Sequence, residues 1–229
     1  METDFFDALG FGPSGYGGQF LEGMLTTLVV AVASALCALI WGSLLGAMSC
    51  SKWVLPRLVW RVYRSIFASM PTLLVLFFLY FGTPYLASSL TGVSMEIGPF
   101  TAGLCALGAI YASYVGEVVR GAILAVPRGQ YEACAALGLG PLPTWLRVVI
   151  PQIVKVAFPG LVNNWVVLLK DTALVSVVGL ADVVRVGQIA GSATNRPLLF
   201  LTVVGLFYVV IVTASLGLLR AARPRAASR

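Results

Sequence analysis

The side chains able to do chemistry in this sequence are few, and their types exclude more than they allow. There is no histidine among the 229 residues, which removes histidine metal ligands, histidine general bases and a Ser-His-Asp triad together. Cys37, Cys50, Cys105 and Cys134 are scattered without paired metal spacing, so they read as small apolar fillers and not as a disulfide framework. Three carboxylates, Glu117, Asp171 and Asp182, lie inside or beside apolar runs, and Asn163 and Asn164 sit within one. Polar groups at membrane depth prefer a protein-lined interior to lipid, so these five are candidates for lining a solute path, with the carboxylates favouring a cationic solute. Each also has a plainer reading. Arg120 follows Glu117 by three residues, Lys170 precedes Asp171, and Arg185 follows Asp182 by three, all within reach of a local ion pair; the amides can equally hydrogen-bond between helices.

One further stretch is organised for contact rather than for catalysis. Gly129 to Pro151, GQYEACAALGLGPLPTWLRVVIP, is a polar, small-residue interlude between long apolar runs. Tyr131 to Leu137 is rich in alanine and predicts about two helical turns, with Gly138 offering the left-handed residue that commonly ends a helix. Ala133, Cys134, Ala135 and Ala136 are small enough for the backbone to lie close to a partner surface, and Glu132 in the first turn suits the positive helix end. Gly140, Pro141 and Pro143 then break the chain, Pro143 opens the next helix with Trp145 and Arg147 at interfacial depth, and Pro151 ends that segment.

The elements that must position these groups are membrane helices. The chain is 59% hydrophobic and only 10% charged, with a mean hydropathy of +0.94, and its apolar runs exceed the roughly 20 residues that cross a bilayer core. The sequence therefore predicts an all-α integral membrane protein with one transmembrane domain over residues 1–229 and about five spans. Residues 1–19 hold Glu2, Asp4 and Asp7 without Lys or Arg, unlike the basic start of a signal peptide. The first span covers about Phe20 to Ala47 and carries Ser34, Ala38, Gly42 and Gly46 at four-residue intervals, either a close-approach stripe or lipid-tolerant filler. Arg57, Arg61 and Arg64 follow on one helical face as snorkelling anchors. The second span runs to about Tyr80 and is kinked by Pro71, with a loop from Thr83 to Pro99. The third runs from about Phe100 to Leu124, the fourth from about Val154 to Leu169, and the last from about Leu198 to Leu219. Residues 172–195 predict a short or re-entrant helix.

Positive charge orients this array. Twelve of the 15 basic residues fall in the first-to-second connection, the third-to-fourth connection and the tail 220–229. Cytoplasmic loops carry the excess of Lys and Arg, which predicts an outer amino terminus, a cytoplasmic carboxyl terminus, and Glu132 on the cytoplasmic side. The formal charge of +6 is thereby accounted for by membrane orientation; no aromatic and basic stacking surface points to nucleic acid.

Glu132, Ala133, Cys134, then Gly138, then Val148, Ile150 and Pro151 resemble the EAA signature of ABC-importer permeases, in which Glu-Ala-Ala is followed by Gly and, after a fixed gap, by Ile-x-Leu-Pro. The spacing matches throughout, with Cys, Val and Ile as volume-tolerant replacements. ASYVGEVVRG from Ala112, and PGLVNNWVVLLKDTALVSVVGLADVV from Pro159, look like the polar amino acid branch, nearest to subunits serving histidine, lysine, arginine and ornithine, or opines. The resemblance implies a type I importer-like permease in the bacterial inner membrane, a second and often different permease subunit, two ATPase subunits holding ATP and Mg, and a periplasmic binding protein that delivers the amino acid. It also implies that Glu132, Ala133, Cys134, Gly138 and Pro151 belong to an ATPase-coupling helix near 129–143. One departure stands out: where the family usually has Arg-Gly-x-Pro, this chain has Ala68, Ser69, Met70 and Pro71.

The residues alone reach a similar mechanism by subtraction. No GxxxxGK[ST] loop occurs and no Lys follows a Gly, so the chain lacks the P-loop means of holding ATP, is expected not to be an enzyme, and carries no cofactor of its own. Five helices are few to enclose a path, which favours pairing. The rival readings are an ion-gradient-driven secondary transporter for small polar solutes, which would usually show repeated halves, a membrane-embedded enzyme with a Ser-Lys or carboxylate-pair site, and a structural assembly subunit.

Overall fold

A computed structural model describes residues 9–12, 15–93 and 96–222. The acidic residues Glu2, Asp4 and Asp7 and the tail arginines Arg223, Arg225 and Arg229 lie outside the described residues, as do the ends of the segments assigned to them.

Among the described residues every regular element is helical: α1 Gly17–Ser49, α2 Val54–Phe67, α3 Thr72–Phe77, α4 Thr83–Thr91, α5 Pro99–Leu124, α6 Arg128–Ala136, α7 Pro141–Thr144, α8 Ile150–Asp171, α9 Val183–Ala193 and α10 Pro197–Ala221. Five stretches are long and apolar enough to cross a bilayer: Gly17–Ser49, Thr72–Thr91, Pro99–Leu124, Pro141–Val178 and Pro197–Ala221. At 1.5 Å per residue α1 is about 50 Å long, well beyond the roughly 30 Å hydrocarbon core.

The second span differs from expectation. It does not close at Tyr80 to Gly82; a π-helical turn at Phe78–Gly82 carries the helix on into α4, which ends at Gly92 with φ +70°. The predicted loop is therefore shortened to the residues after Thr91. The fourth span is likewise longer. A π-helical turn at Trp145–Val149 leads straight into α8, so Pro151 sits in the second position of a helix and does not end one. In both places a proline lies two residues past the π turn, Pro84 and Pro151. A helical proline clashes with the carbonyl four residues back, and a widened turn relieves that clash without breaking the helix. After α8 the chain tightens into a 3-10 helix, Thr172–Val178, closed by Gly179 at φ +88°, and α9 forms the short non-spanning helix predicted within 172–195.

The chain divides into two compact units, each drawn from three stretches of sequence. Unit 1 comprises Met1–Ala35, Met70–Gly108 and Val167–Ser215. Its core gathers Phe20, Val183, Val186, Ala190, Phe200 and Val204, with Phe20 stacked on Phe200 at 6.0 Å. Close packing here is backbone-limited: a Cβ at Gly23 would meet the Asp182 backbone at 3.0 Å, and one at Gly187 would meet Val204 at 2.5 Å. Unit 2 comprises Leu36–Ser69, Ala109–Val166 and Leu216–Arg229. There α1 lies directly on α5. A Cβ at Gly42 would stand 2.6 Å from the Ala112 carbonyl oxygen, and one at Gly46 would stand 2.5 Å from that of Gly116. Ala38 is buried there as well, so in unit 2 the small-residue stripe is a packing surface and not lipid-tolerant filler; Ser34, at its start, is buried within unit 1. Trp60 of α2 occupies the same seam, its ring 2.5 Å from where a Gly116 Cβ would be, and Tyr63 donates to the Ala109 carbonyl at 2.7 Å.

Candidate functional site

The short helix predicted at Tyr131–Leu137 forms, shifted toward the amino terminus as Arg128–Ala136. Pro127, extended at ψ 141°, precedes it. The shift moves Glu132 out of the first turn, so its carboxylate is not placed to answer the positive helix end. The carboxyl end is a two-bond cap: the Leu139 N–H donates to the Cys134 carbonyl at 3.0 Å, the Gly138 N–H donates to that of Ala135 at 3.0 Å, and Gly138 holds φ +71°. This is the Schellman arrangement, with glycine at the left-handed position and two otherwise orphaned carbonyls satisfied.

The helix presents two different faces. Cys134 is buried and Tyr131 half-buried, its ring set edge-on to Trp145 at 6.3 Å. Glu132, Ala133, Ala135, Ala136 and Gly138 are exposed, and Leu137 is 78% and Leu142 69% exposed. One side is thus pinned by the thiol and the aromatic pair, and the other is a shallow, small-residue surface flanked by two bare leucines. Burying that apolar surface against a partner would contribute at about 25 cal/mol per Å² removed from water. Two residues not singled out in the sequence tie this helix to α8: the Gln152 amide donates to the Gln130 side-chain oxygen at 3.2 Å and to the Val148 carbonyl at 3.0 Å. Their only signal was two glutamines 22 residues apart, which no periodicity joins.

The polar candidates fall into separate settings. In unit 2, Glu117 bridges two arginines, with Arg120 at 3.2 Å on the same helix and the Arg64 Nε at 3.1 Å from Oε2 on α2. The Arg64 contact is close enough for an ion pair but not aligned as a hydrogen bond. The expected Arg120 partner is therefore present, and the sequence missed the second one because Arg64 lies 53 residues earlier. Asn163 is exposed, whereas Asn164 is half-buried with its amide nitrogen unpartnered among the described residues, as is the neighbouring Trp165 ring nitrogen.

In unit 1, Asp171 takes a hydrogen bond from the Thr72 hydroxyl at 3.2 Å. This joins the start of α3, just past the Pro71 break, to the point where α8 gives way to the 3-10 helix. Asp182 is 1% exposed and caps α9: Oδ1 accepts from the Arg185 backbone N–H at 2.9 Å, while Oδ2 is buried with no hydrogen bond among the described residues. The predicted partner is thus met through its main chain. Burial pushes this carboxyl up to about 6, against the smaller opposing pull of backbone hydrogen bonds and the Arg185 charge. The Thr27 hydroxyl, itself donating to Gly23, accepts from Val183 N–H at 3.2 Å and completes the start of the same helix.

Residues 38–228 match the family described as binding-protein-dependent transport system inner membrane component. The chain belongs to that family. Among its relatives is the histidine/lysine/arginine/ornithine transport system permease protein HisQ of Escherichia coli, 37% identical over 209 residues, covering 90% of this chain and 92% of that protein. The nopaline transport system permease protein NocQ of Agrobacterium fabrum is 36% identical over 220 residues, covering 93% of each. The solved structure of an amino acid ABC transporter with histidines superimposes with a TM-score of 0.83 at 30% identity, over 97% of this chain and 99% of that one. The inward-facing methionine transporter MetNI shares the fold at 19% identity, with a TM-score of 0.68 over 91% of this chain and 98% of that one. The all-helical, five-span importer-permease fold expected from the sequence is the fold of this inner membrane component, and its relatives are permease subunits, not ATPases.

Proposed function

We propose that this family member is the permease subunit of an ATP-driven importer for polar, basic amino acids or opines. It would pair with a second, homologous permease chain and couple to two ATPase subunits through the helix Arg128–Ala136. The observation that carries this reading is that helix itself: a rigidly capped rod whose exposed face is Glu132, Ala133, Ala135 and Ala136, anchored on its other face by Cys134 and Tyr131. Such a rod transmits a push as a unit because its end cannot unwind. The Gln130 to Gln152 bond passes the displacement to α8, and α8 reaches Asp171 at the other end of its length. The permease relatives named above support the solute class. A periplasmic binding protein delivers the solute, and ATP and Mg act in the partner subunits.

The orientation follows from charge. With α6 on the cytoplasmic side, Lys52, Arg57, Arg61, Arg64, Arg120, Arg128, Arg147, Lys155 and Arg220 share that side, and Asp182 lies toward the outside. Of the pathway candidates, Asp171 and Asn164 have the settings best suited to lining a solute path: a carboxylate at the meeting of two helix breaks, and a half-buried amide on the same helix.

The test is reconstitution of this chain with its co-purifying subunits in lipid, followed by ATP turnover with each basic amino acid or opine presented on its binding protein. Stimulation by one such solute supports the reading. An assembled complex whose turnover answers none of them, or one that isolates without an ATPase, overturns it.

A further inference from the structure

Beside the amino-terminal half of the coupling helix, at Arg128 and Tyr131, unit 2 contains a cleft of about 580 Å³. Ala47 and Cys50 at the end of α1 and Leu124 at the end of α5 form its apolar wall; Arg128, Tyr131 and Trp145 close it. None of its lining residues is acidic. The adjoining turn adds more positive charge: Arg57 folds back to donate from its guanidinium to the Lys52 carbonyl at 3.1 Å and to the Trp53 carbonyl at 3.3 Å. This holds a second cation, beside Lys52, next to the Cys50 and Ser51 lip. Trp53 is 77% exposed beside that lip.

We propose that this cleft holds an anionic phospholipid of the cytoplasmic leaflet, its phosphate against Arg128 and the Lys52–Arg57 turn, and an acyl chain along Ala47 and Leu124. The inference rests on the placement of the coupling helix at the cytoplasmic surface. Three features favour a lipid over a polypeptide. The cleft lies where two helices of bilayer-crossing length end, and Leu124 of its apolar wall is 63% exposed. Tyr131, Trp145 and Trp53 are the side chains that settle at headgroup depth. Basic pockets between membrane helices on the cytoplasmic side take acidic headgroups, at about 1 kcal/mol per cation. A lipid seated there would brace Tyr131 and so stiffen the inner face of the lever on which the ATPase pushes.

The full transporter complex is isolated from nanodiscs containing phosphatidylglycerol and phosphatidylcholine, and the lipids retained are weighed by native mass spectrometry. The expected result is retained phosphatidylglycerol in preference to phosphatidylcholine. Arg128→Gln lowers that preference about fivefold, and Ala47→Trp, which fills the cleft, removes one retained lipid. Equal retention of both lipids, or no change in either variant, overturns the proposal. A benzophenone carried on Cys50, with Cys37 and Cys105 replaced by Ser, gives an arm that does not depend on those variants. A phospholipid adduct supports the site, and an adduct with an ATPase or second-permease peptide overturns it while leaving the proposed function intact.

Discussion

Gly138 is the residue at which the lever reading is most exposed to test, because its backbone and its surroundings make opposite demands. A Cβ there would meet nothing within 4 Å, so no substitution is resisted by crowding. The φ of +71° resists all but glycine. For an ordinary L-residue the left-handed conformation costs about 1–2 kcal/mol, asparagine being the usual exception. A cost of that size changes the ratio of capped to frayed helix ends by a factor of about 5–30. Fraying releases both bonds of the cap, Leu139 to Cys134 and Gly138 to Ala135, and lets the last turn of the lever yield instead of transmitting. The series Gly138, Gly138→Asn, Gly138→Ala, Gly138→Val should therefore lose solute-stimulated ATP turnover in that order, with valine losing most because its branched Cβ is least tolerant of positive φ.

Gly140→Ala is the control. Gly140 sits at φ −67° and ψ 168°, a conformation open to any residue, and its nearest neighbour for a Cβ is Pro143 Cδ at 3.9 Å. It should couple as the parent does. Complexes are compared at equal assembly in lipid, reading turnover with and without loaded binding protein. If Gly138→Val assembles and keeps the stimulation ratio of the parent, the rigid-rod argument is refuted.

Other consequences follow from the packing and the charges. Gly42→Val or Gly46→Val should lower the Tm in detergent sharply, since overpacking costs about 1–3 kcal/mol and the obstructing atoms are the Ala112 and Gly116 carbonyl oxygens; Gly217→Ala, with nothing within 4 Å, should leave the Tm unchanged. A double-mutant cycle on Arg64→Gln and Glu117→Gln, read by thermal unfolding, should give a coupling energy under about 1 kcal/mol, because both side chains are about half-exposed, 53% and 41%. Asp182 makes a pH prediction. Its carboxyl is raised from an ordinary value near 3.8 to about 6, so the folded chain holds a proton that the unfolded chain has released. Stability should then be greatest below about pH 4, fall as pH rises to about 6, and level off above. Asp182→Asn, a cap of equal quality, should flatten that segment of the Tm-against-pH curve, and an unchanged slope would contradict the burial argument.

The parts of this protein that were legible before its structure share a feature: each is set by signals local in sequence. Five apolar runs of spanning length announce five spans, and the Ala-rich run and Gly138 announce a short helix and its stop; Ser34, Ala38, Gly42 and Gly46 fit a packing face and lipid-tolerant filler equally until the structure decides. What sequence missed was set by partners far along the chain. For Glu117 the local partner Arg120 is legible and the equally near Arg64 is not; for Asp171 the hydrogen bond from Thr72 comes from 99 residues earlier. Partners that far apart share no helical spacing that could announce them.

The prolines failed for a different reason, and it bears on mechanism. A segment ending at Pro151 follows from the lost bond and the clash that proline brings to an isolated helix, whereas a span ending near Tyr80 takes no account of Pro84. Within the membrane, where the Pro84 site lies, ending a helix is costlier still, since freed backbone groups find no water. The chain resolves the conflict at both sites by widening one turn, Phe78–Gly82 and Trp145–Val149, and continuing. The second of these widened turns begins at Trp145, which packs on Tyr131 of the coupling helix. A π turn is looser than the α-helix it interrupts, so this is the point between lever and span where bending is easiest. If that compliance serves coupling, Pro151→Ala should let the turn revert toward regular α-helix, raise the Tm and reduce solute-stimulated turnover, because a stiffer junction would resist the tilt of α8. A variant that gains stability with no loss of stimulation would show that the turn accommodates Pro151 and does nothing more.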